Sequence, residues 1–187
     1  MKTTTRAALT IAALLPLAAC QKPASTSPAD NAKSAHEHTH AQTDLLARGE
    51  YLTRTTGCND CHTPGYAESQ GKVDKAQWLV GSPVGFRGPW GTTYPTNLRL
   101  KLATMTETQW LDYSATLRTR PLMPDFAIRD MTLEDRRAIY RFVRSLGPGG
   151  QPAPAFVPPG QNPAPPYFDL VLPAAPPAAE SVAAGSF

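Results

Sequence analysis

The chain has 187 residues with 20 prolines, 18% charged residues and a formal charge of +3. Eleven of the prolines lie between Pro148 and Pro177, and setting that stretch and a polar N-terminal segment aside leaves one domain of about a hundred residues. A core that small is thin, so a bound cofactor adding buried apolar surface would help to stabilise it. Lys2 and Arg6 fall in an N-terminal segment expected to be removed. The 18 basic residues less those two, against 15 acidic ones, leave +1, and nucleic-acid binding loses its electrostatic basis.

At the N-terminus, Lys2 and Arg6 precede an apolar run from Ala7 to Ala19, too short to cross a bilayer as a helix but suited to the apolar core of a signal peptide. The run ends in Leu17-Ala18-Ala19-Cys20, which resembles the bacterial lipobox. Residues 1–19 are therefore expected to be cleaved and Cys20 to carry the lipid, the alternative being an ordinary secretory signal with an incidental cysteine. Gln21 follows instead of Asp, which by resemblance to sorted lipoproteins favours the outer membrane. Several acyl chains would make the membrane anchoring stable. Residues 20–43 show neither helical nor strand period and read as a flexible tether with a reach of roughly 25 Å. Within it His36, His38 and His40 alternate, as solvated linker residues or as a loose metal site.

Asp44 is positioned to cap a helix from about Leu45 to Thr56 that stops at Gly57, and Gly49 would let another helix approach it closely. Then comes Cys58-Asn59-Asp60-Cys61-His62. Only three cysteines exist, and with Cys20 assigned to the lipid the other two complete Cys-x-x-Cys-His, the signature of c-type haem attachment. Two thiols three positions apart on a turn can each add to one vinyl group of the porphyrin, and the next residue places an imidazole under the iron. A thioredoxin-like reading needs a strand before the motif and a long helix after it; here a helical stretch precedes and Pro64-Gly65 breaks the chain after. A structural zinc site needs further Cys or His ligands.

Residues 64–95 are interrupted by Gly and Pro, with one helical turn expected near Asp74–Leu79. Thr106-Glu107-Thr108-Gln109 is a capping box, with Met105 and Trp110 at the staple positions, and its helix should run to about Arg118. Arg120-Pro121-Leu122-Met123-Pro124 is expected to be extended. A last helix begins after Thr132, with Asp135 at its third position, and ends before Gly147-Pro148. Its Ile139, Tyr140, Phe142, Val143 and Leu146 form an apolar face, expected to cross the first helix near Gly49. Residues 148–187 form a Pro/Ala-rich tail unable to build a core, extended or disordered. Its Tyr167–Leu172 is an apolar exception, suited to wrapping the domain as a short strand or to docking on a partner.

With these motifs in hand, residues 44–147 resemble a class I monohaem cytochrome c domain: Cys58-x-x-Cys61-His62 early, Leu122-Met123-Pro124 late. Gly91-Thr92-Thr93-Tyr94-Pro95-Thr96-Asn97-Leu98 is similar to a loop in cytochrome subunits of periplasmic dehydrogenases, as is the closing segment from Met131 to Leu146. The resemblance implies an all-α cytochrome c fold, three to five short helices around one haem c bound through Cys58 and Cys61. It makes His62 the proximal ligand and points to a methionine as the distal one. Met1 leaves with the signal, Met105 serves as a staple and Met131 sits at a helix entry. Met123, restrained between Pro121 and Pro124, is the assigned ligand and Met131 its competitor. Trp90, Tyr94 and Asn97 are candidates for binding propionates or shielding the porphyrin, and Arg87 and Arg99 for offsetting charge. For each, an ordinary core or surface role stands beside that reading. Trp78 and Trp110 read as packing residues.

His/Met ligation implies one-electron transfer without bond chemistry, not an enzyme acting alone. The expected protein is a periplasmic, lipid-anchored electron carrier. Its partners would be redox proteins (a dehydrogenase, a terminal oxidase or another cytochrome), with the membrane engaged through the anchor. The alternatives are a dedicated cytochrome subunit of a dehydrogenase or oxidase complex, and a haem sensor or peroxidase with an open iron site.

Overall fold

In the computed structural model, residues 28–171 are described, with side chains from residue 42 onward. The expected signal peptide 1–19, Cys20 with Gln21, and the tail beyond Val171 lie outside the described residues. The chain divides into two units, Met1–Glu37 and His38–Phe187, and the packing below belongs to the second. The architecture is mixed, 43% helical with a small three-stranded sheet.

Helix α1 spans Pro28–Thr55. The expected start at Asp44 and the structureless tether are both corrected, because residues 28–43 are already helical and Asp44 lies inside the helix. Proline suits a first helical turn, and the Ala, Lys, Glu and Gln residues that follow are good helix formers. What that stretch lacks is an apolar face, so it leaves no period to read. Short helices follow: α2 (Cys58–His62), α3 (Leu98–Ala103), α4 (Glu107–Ala115), α5 (Asp125–Asp130) and α6 (Leu133–Ser145), with a 3-10 turn at Lys75–Gln77. The last of these falls in the expected helical turn, whereas α3 and α5, six residues each, are too short to show a period. The capping box on α4 is present in both directions, Thr106 Oγ1 accepting from Gln109 N and the Gln109 side chain accepting from Thr106 N.

The core forms where the apolar face of α6 (Ala138, Ile139, Tyr140, Phe142, Val143) meets Leu52, Tyr66, Trp78, Leu79, Leu102 and Trp110. Trp110 Nε1 donates to Arg136 O and Tyr140 Oη to Met105 O, both at 2.8 Å. The crossing with α1 occurs at Gly49 as expected: a Cβ there would lie 2.1 Å from Ala138 O and 2.6 Å from Phe142 Cβ. Beside it Arg48 Nε donates to Asp135 Oδ1 at 2.8 Å. Arg99, only 7% exposed, closes the other end of α6. Its guanidinium donates to Leu146 O, Gly147 O and Pro148 O, and across to Ala76 O, satisfying carbonyls that a helix C-terminus leaves open.

The sheet is the departure from an all-helical expectation. Strands β1 (Gly85–Gly88) and β2 (Gly91–Thr93) form an antiparallel hairpin, and β3 (Tyr167–Asp169) from the tail pairs parallel to β1, with Phe86 opposite Phe168. Those two rings stack at 5.5 Å. Val157 bridges Thr92 by two backbone bonds, N to O at 2.8 and 3.0 Å. The tail up to β3 therefore wraps the domain, and the boundary expected at Gly147 does not mark the end of packing. Strands of three or four residues between Gly and Pro show no readable alternation.

Two outcomes follow from the α1–α6 contact. Gly49→Ala should lower stability by about 1–3 kcal/mol, seen as a reduced thermal midpoint. The Arg48 hydrogen bond holds Asp135 below the usual carboxylate range, so its contribution is present above the unfolded-state pKa of about 4 and is lost as pH falls through the folded-state value. Asp135→Asn should therefore be less stable at neutral pH, and denaturant melts should show a shallower acid decline than in the parent.

Candidate functional site

After Gly57 the chain makes a single helical turn, α2, that carries the whole motif. Residues three and four apart share a helix face, so Cys58, Cys61 and His62 face one side. The two cysteines are free thiols, Cys58 half-buried and Cys61 exposed. Burial pushes both thiols above their ordinary pKa, which favours their protonated form at neutral pH. The element before the motif is a helix and not a strand, which removes the structural basis of the thioredoxin-like reading. Among the described residues no group of three or more His, Cys, Asp or Glu converges on a metal position.

His62 is 9% exposed, and its Nδ1 lies 2.7 Å from Thr96 O. A carbonyl only accepts, so Nδ1 carries the proton and Nε2 keeps its lone pair, as a metal-ligating imidazole requires. Burial lowers the His62 pKa, outweighing the backbone hydrogen bond, which favours the same neutral form.

Asn59, between the two cysteines, and Thr63, just after the histidine, hold this turn in place. Thr63 Oγ1 donates to Asn59 Oδ1 at 2.8 Å and accepts from Leu79 N at 2.8 Å; both side chains are essentially fully buried. Gly81 N donates to His62 O, Ser82 N to Pro95 O and Leu98 N to Leu79 O, lacing residues 79–82 between the motif and the 94–98 loop. Gly81 has φ +82, and a Cβ there would sit 2.7 Å from Asn97 N. A side chain at Gly81 would push away the loop that presents the Thr96 carbonyl.

The same loop reaches the methionine segment. Thr93 Oγ1 donates to Pro121 O at 2.9 Å, so Thr93 touches the Met123 loop while Thr96 touches His62, and three residues span at most about 10 Å. Met123 is half-buried. Its carbonyl accepts from Asp125 N at 2.9 Å, and Asp125 in turn accepts from Thr119 N and Arg129. Met105 and Met131 both pack against the core cluster, and Met123 does not, so among the described residues Met123 is the methionine without a place in that cluster.

The remaining candidates separate. Trp90, in the hairpin turn, has a buried Nε1 with no hydrogen-bond partner, as does Thr92 Oγ1 next to it; such orphaned groups suit an acceptor brought by a ligand. Tyr94 is half-buried with its ring against Gly85. Asn97 is corrected: its Oδ1 caps α3 by accepting from Leu100 N, and its Nδ2 donates to Gly149 O and Gln151 O, so no donor is left for a propionate. Arg99 is likewise spent on backbone carbonyls, and Arg87 faces Asp169 at 3.9 Å. Two surface clefts, one at Met105, Glu107, Tyr140 and Arg144 and one at Asp60 and Tyr66, are lined by neither His62 nor Met123.

Set against known protein families, curated proteins and solved structures, the chain matches none. The donor set still fits a c-type haem on its own terms: two reduced thiols on one turn, an imidazole with free Nε2, a thioether without a core role and an orphaned indole N–H. Thr63→Val should remove both partners of Asn59 Oδ1 and Leu79 N and cost about 1–3 kcal/mol in denaturant unfolding, with Thr63→Ser recovering most of it.

Proposed function

We propose that this chain is a periplasmic, lipid-anchored one-electron carrier with a single haem c, held by Cys58 and Cys61 and ligated by His62 and Met123. The observation that carries the proposal is the His62 Nδ1–Thr96 O hydrogen bond on a turn that also holds two reduced cysteines. It selects the tautomer and fixes the ring before any iron binds. The haem supplies the one-electron couple, and a thioether on the distal side favours the reduced state.

The chain's own residues do the rest. Asn59, Thr63 and Gly81 keep the motif turn rigid, and the 93–96 loop spaces the two ligand-bearing segments. Trp90 Nε1 offers a hydrogen bond to a propionate, and exposed Cys61 sets one edge of the attached group at the surface, where a redox partner approaches. Such encounters use small transient interfaces, consistent with the near balance of charge. Among the described residues no helix is long and apolar enough to cross a membrane, and anchoring rests on Cys20. The alternative of a dedicated subunit of a dehydrogenase or oxidase complex rests on the resemblance of the 94–98 loop, and the tail segment proposed as its docking strap is paired, as β3, with β1 of its own chain.

The full-length protein, expressed in a bacterium able to attach c-type haem, should give a pyridine haemochrome spectrum and a mass increased by one haem. Replacing Cys58 and Cys61 by Ser should abolish both. The reduced parent should bind carbon monoxide negligibly at neutral pH, and Met123→Ala should bind it readily. A colourless polypeptide overturns the cofactor; rapid carbon monoxide binding by the parent overturns Met123 and favours the open-site alternative.

A further inference from the structure

The tail touches the domain at places that matter for the proposed distal ligand. Its path is stapled along the domain: Gly149 O and Gln151 O accept from Asn97 Nδ2, Val157 pairs with Thr92, and β3 adds to β1. Between the first and second of these staples lies Phe156, half-buried, whose ring receives the Arg120 guanidinium at 3.7 Å from its centroid. Arg120 immediately precedes Pro121, whose carbonyl accepts the Thr93 hydroxyl.

The Met123 loop is thus gripped on its N-terminal flank twice. Thr93 comes from β2, and Phe156 from a strap pinned to that same strand one residue away, through Val157 and Thr92. Neither grip comes from the helical core. Asp125, on the C-terminal flank, also closes the base of the loop by accepting from Thr119 N on the N-terminal side and from Arg129.

We propose that Phe156 is a positioning residue for Met123: the strap, through the Phe156–Arg120 contact, holds the loop where the thioether can reach the iron. This rests on the haem reading above. Loss of the contact raises the population with the sulfur displaced, and apparent affinity for an external ligand scales with that population. The guanidinium of an exposed Arg120 over a half-buried ring contributes modestly, so the effect is a partial opening, smaller than removal of Met123 itself. The strap is suited to the task because Pro154, Pro158 and Pro159 flank Phe156 and limit its conformational freedom.

The test uses the full-length holoprotein. Phe156→Ala should bind carbon monoxide about three- to tenfold more tightly than the parent in the reduced state. It should also weaken the red methionine-to-iron charge-transfer band of the oxidised state, with covalent haem content and far-ultraviolet circular dichroism unchanged. Phe156→Trp should restore both signals. Arg120→Gln, at an exposed position that folding tolerates, should reproduce the effect if Phe156→Ala fails to fold. Phe168→Ala, which loosens the far end of the strap without touching Arg120, should leave both signals at parental values. Carbon monoxide affinity within twofold of the parent in both Phe156→Ala and Arg120→Gln overturns the inference, as does an equal effect of Phe168→Ala. If the parent carries no covalent haem, or Met123→Ala leaves its carbon monoxide binding unchanged, the reading beneath it has failed, and that outcome is visible without any strap variant.

Discussion

The contact on which the rest depends is the hydrogen bond from His62 Nδ1 to the Thr96 carbonyl. A buried imidazole with one nitrogen committed to a backbone acceptor has one remaining lone pair and one permitted orientation. Everything near it serves to keep the two ends of that bond in register. The Asn59–Thr63–Leu79 relay fixes the turn that carries His62, and the ladder through Gly81, Ser82 and Leu98 fixes the loop that carries Thr96. The Asn59–Thr63–Leu79 relay is buried, so it does not compete with water.

A second theme is economy of scale. The helical core is small, with α6 as its main apolar surface, and the polar loops on the proposed cofactor side have little hydrophobic support of their own. The chain meets this with backbone lacing and one buried arginine. Arg99 ties the end of α6, the 3-10 turn and the beginning of the tail at a single guanidinium. Among the described residues it has no carboxylate partner, and carbonyl dipoles, including those at a helix C-terminus, offset its desolvation. The Pro-rich tail extends the same approach: a segment unable to form a core of its own instead adds a parallel strand and a covering ring to a hairpin that would be marginal alone.

Much of the helical framework was legible in the sequence, as was the grouping of two cysteines and a histidine on one turn. Thr106–Gln109 and Thr132–Asp135 announced two helix starts because capping is a local hydrogen-bond pattern with fixed spacing. Gly49 announced a helix crossing because only a missing Cβ allows backbones so close. The three-strand sheet was not legible, since its strands are too short for a period and one of them comes from the far tail. The helical stretch before Asp44 was missed because propensity without an amphipathic face leaves no pattern. Asn97 and Arg99 were open between a cofactor role and an ordinary core role, and their side chains bond to backbone groups, because polar side chains in a loop serve backbone carbonyls as readily as ligands.

What the sequence determined by itself was the chemistry on offer: two thiols and an imidazole at a spacing that one helical turn converts into a shared face, and a methionine between prolines. These are properties of neighbours along the chain, and local geometry is enough to read them. Only the tertiary structure decided which nitrogen of His62 is free, which methionine is left over from the core, and that the tail reaches the Met123 loop. Those outcomes depend on a backbone carbonyl 34 residues away, on burial, and on a bridge between residues 92 and 157. Backbone acceptors carry no residue signature, and long-range pairing is set by the whole balance of packing and not by any one segment.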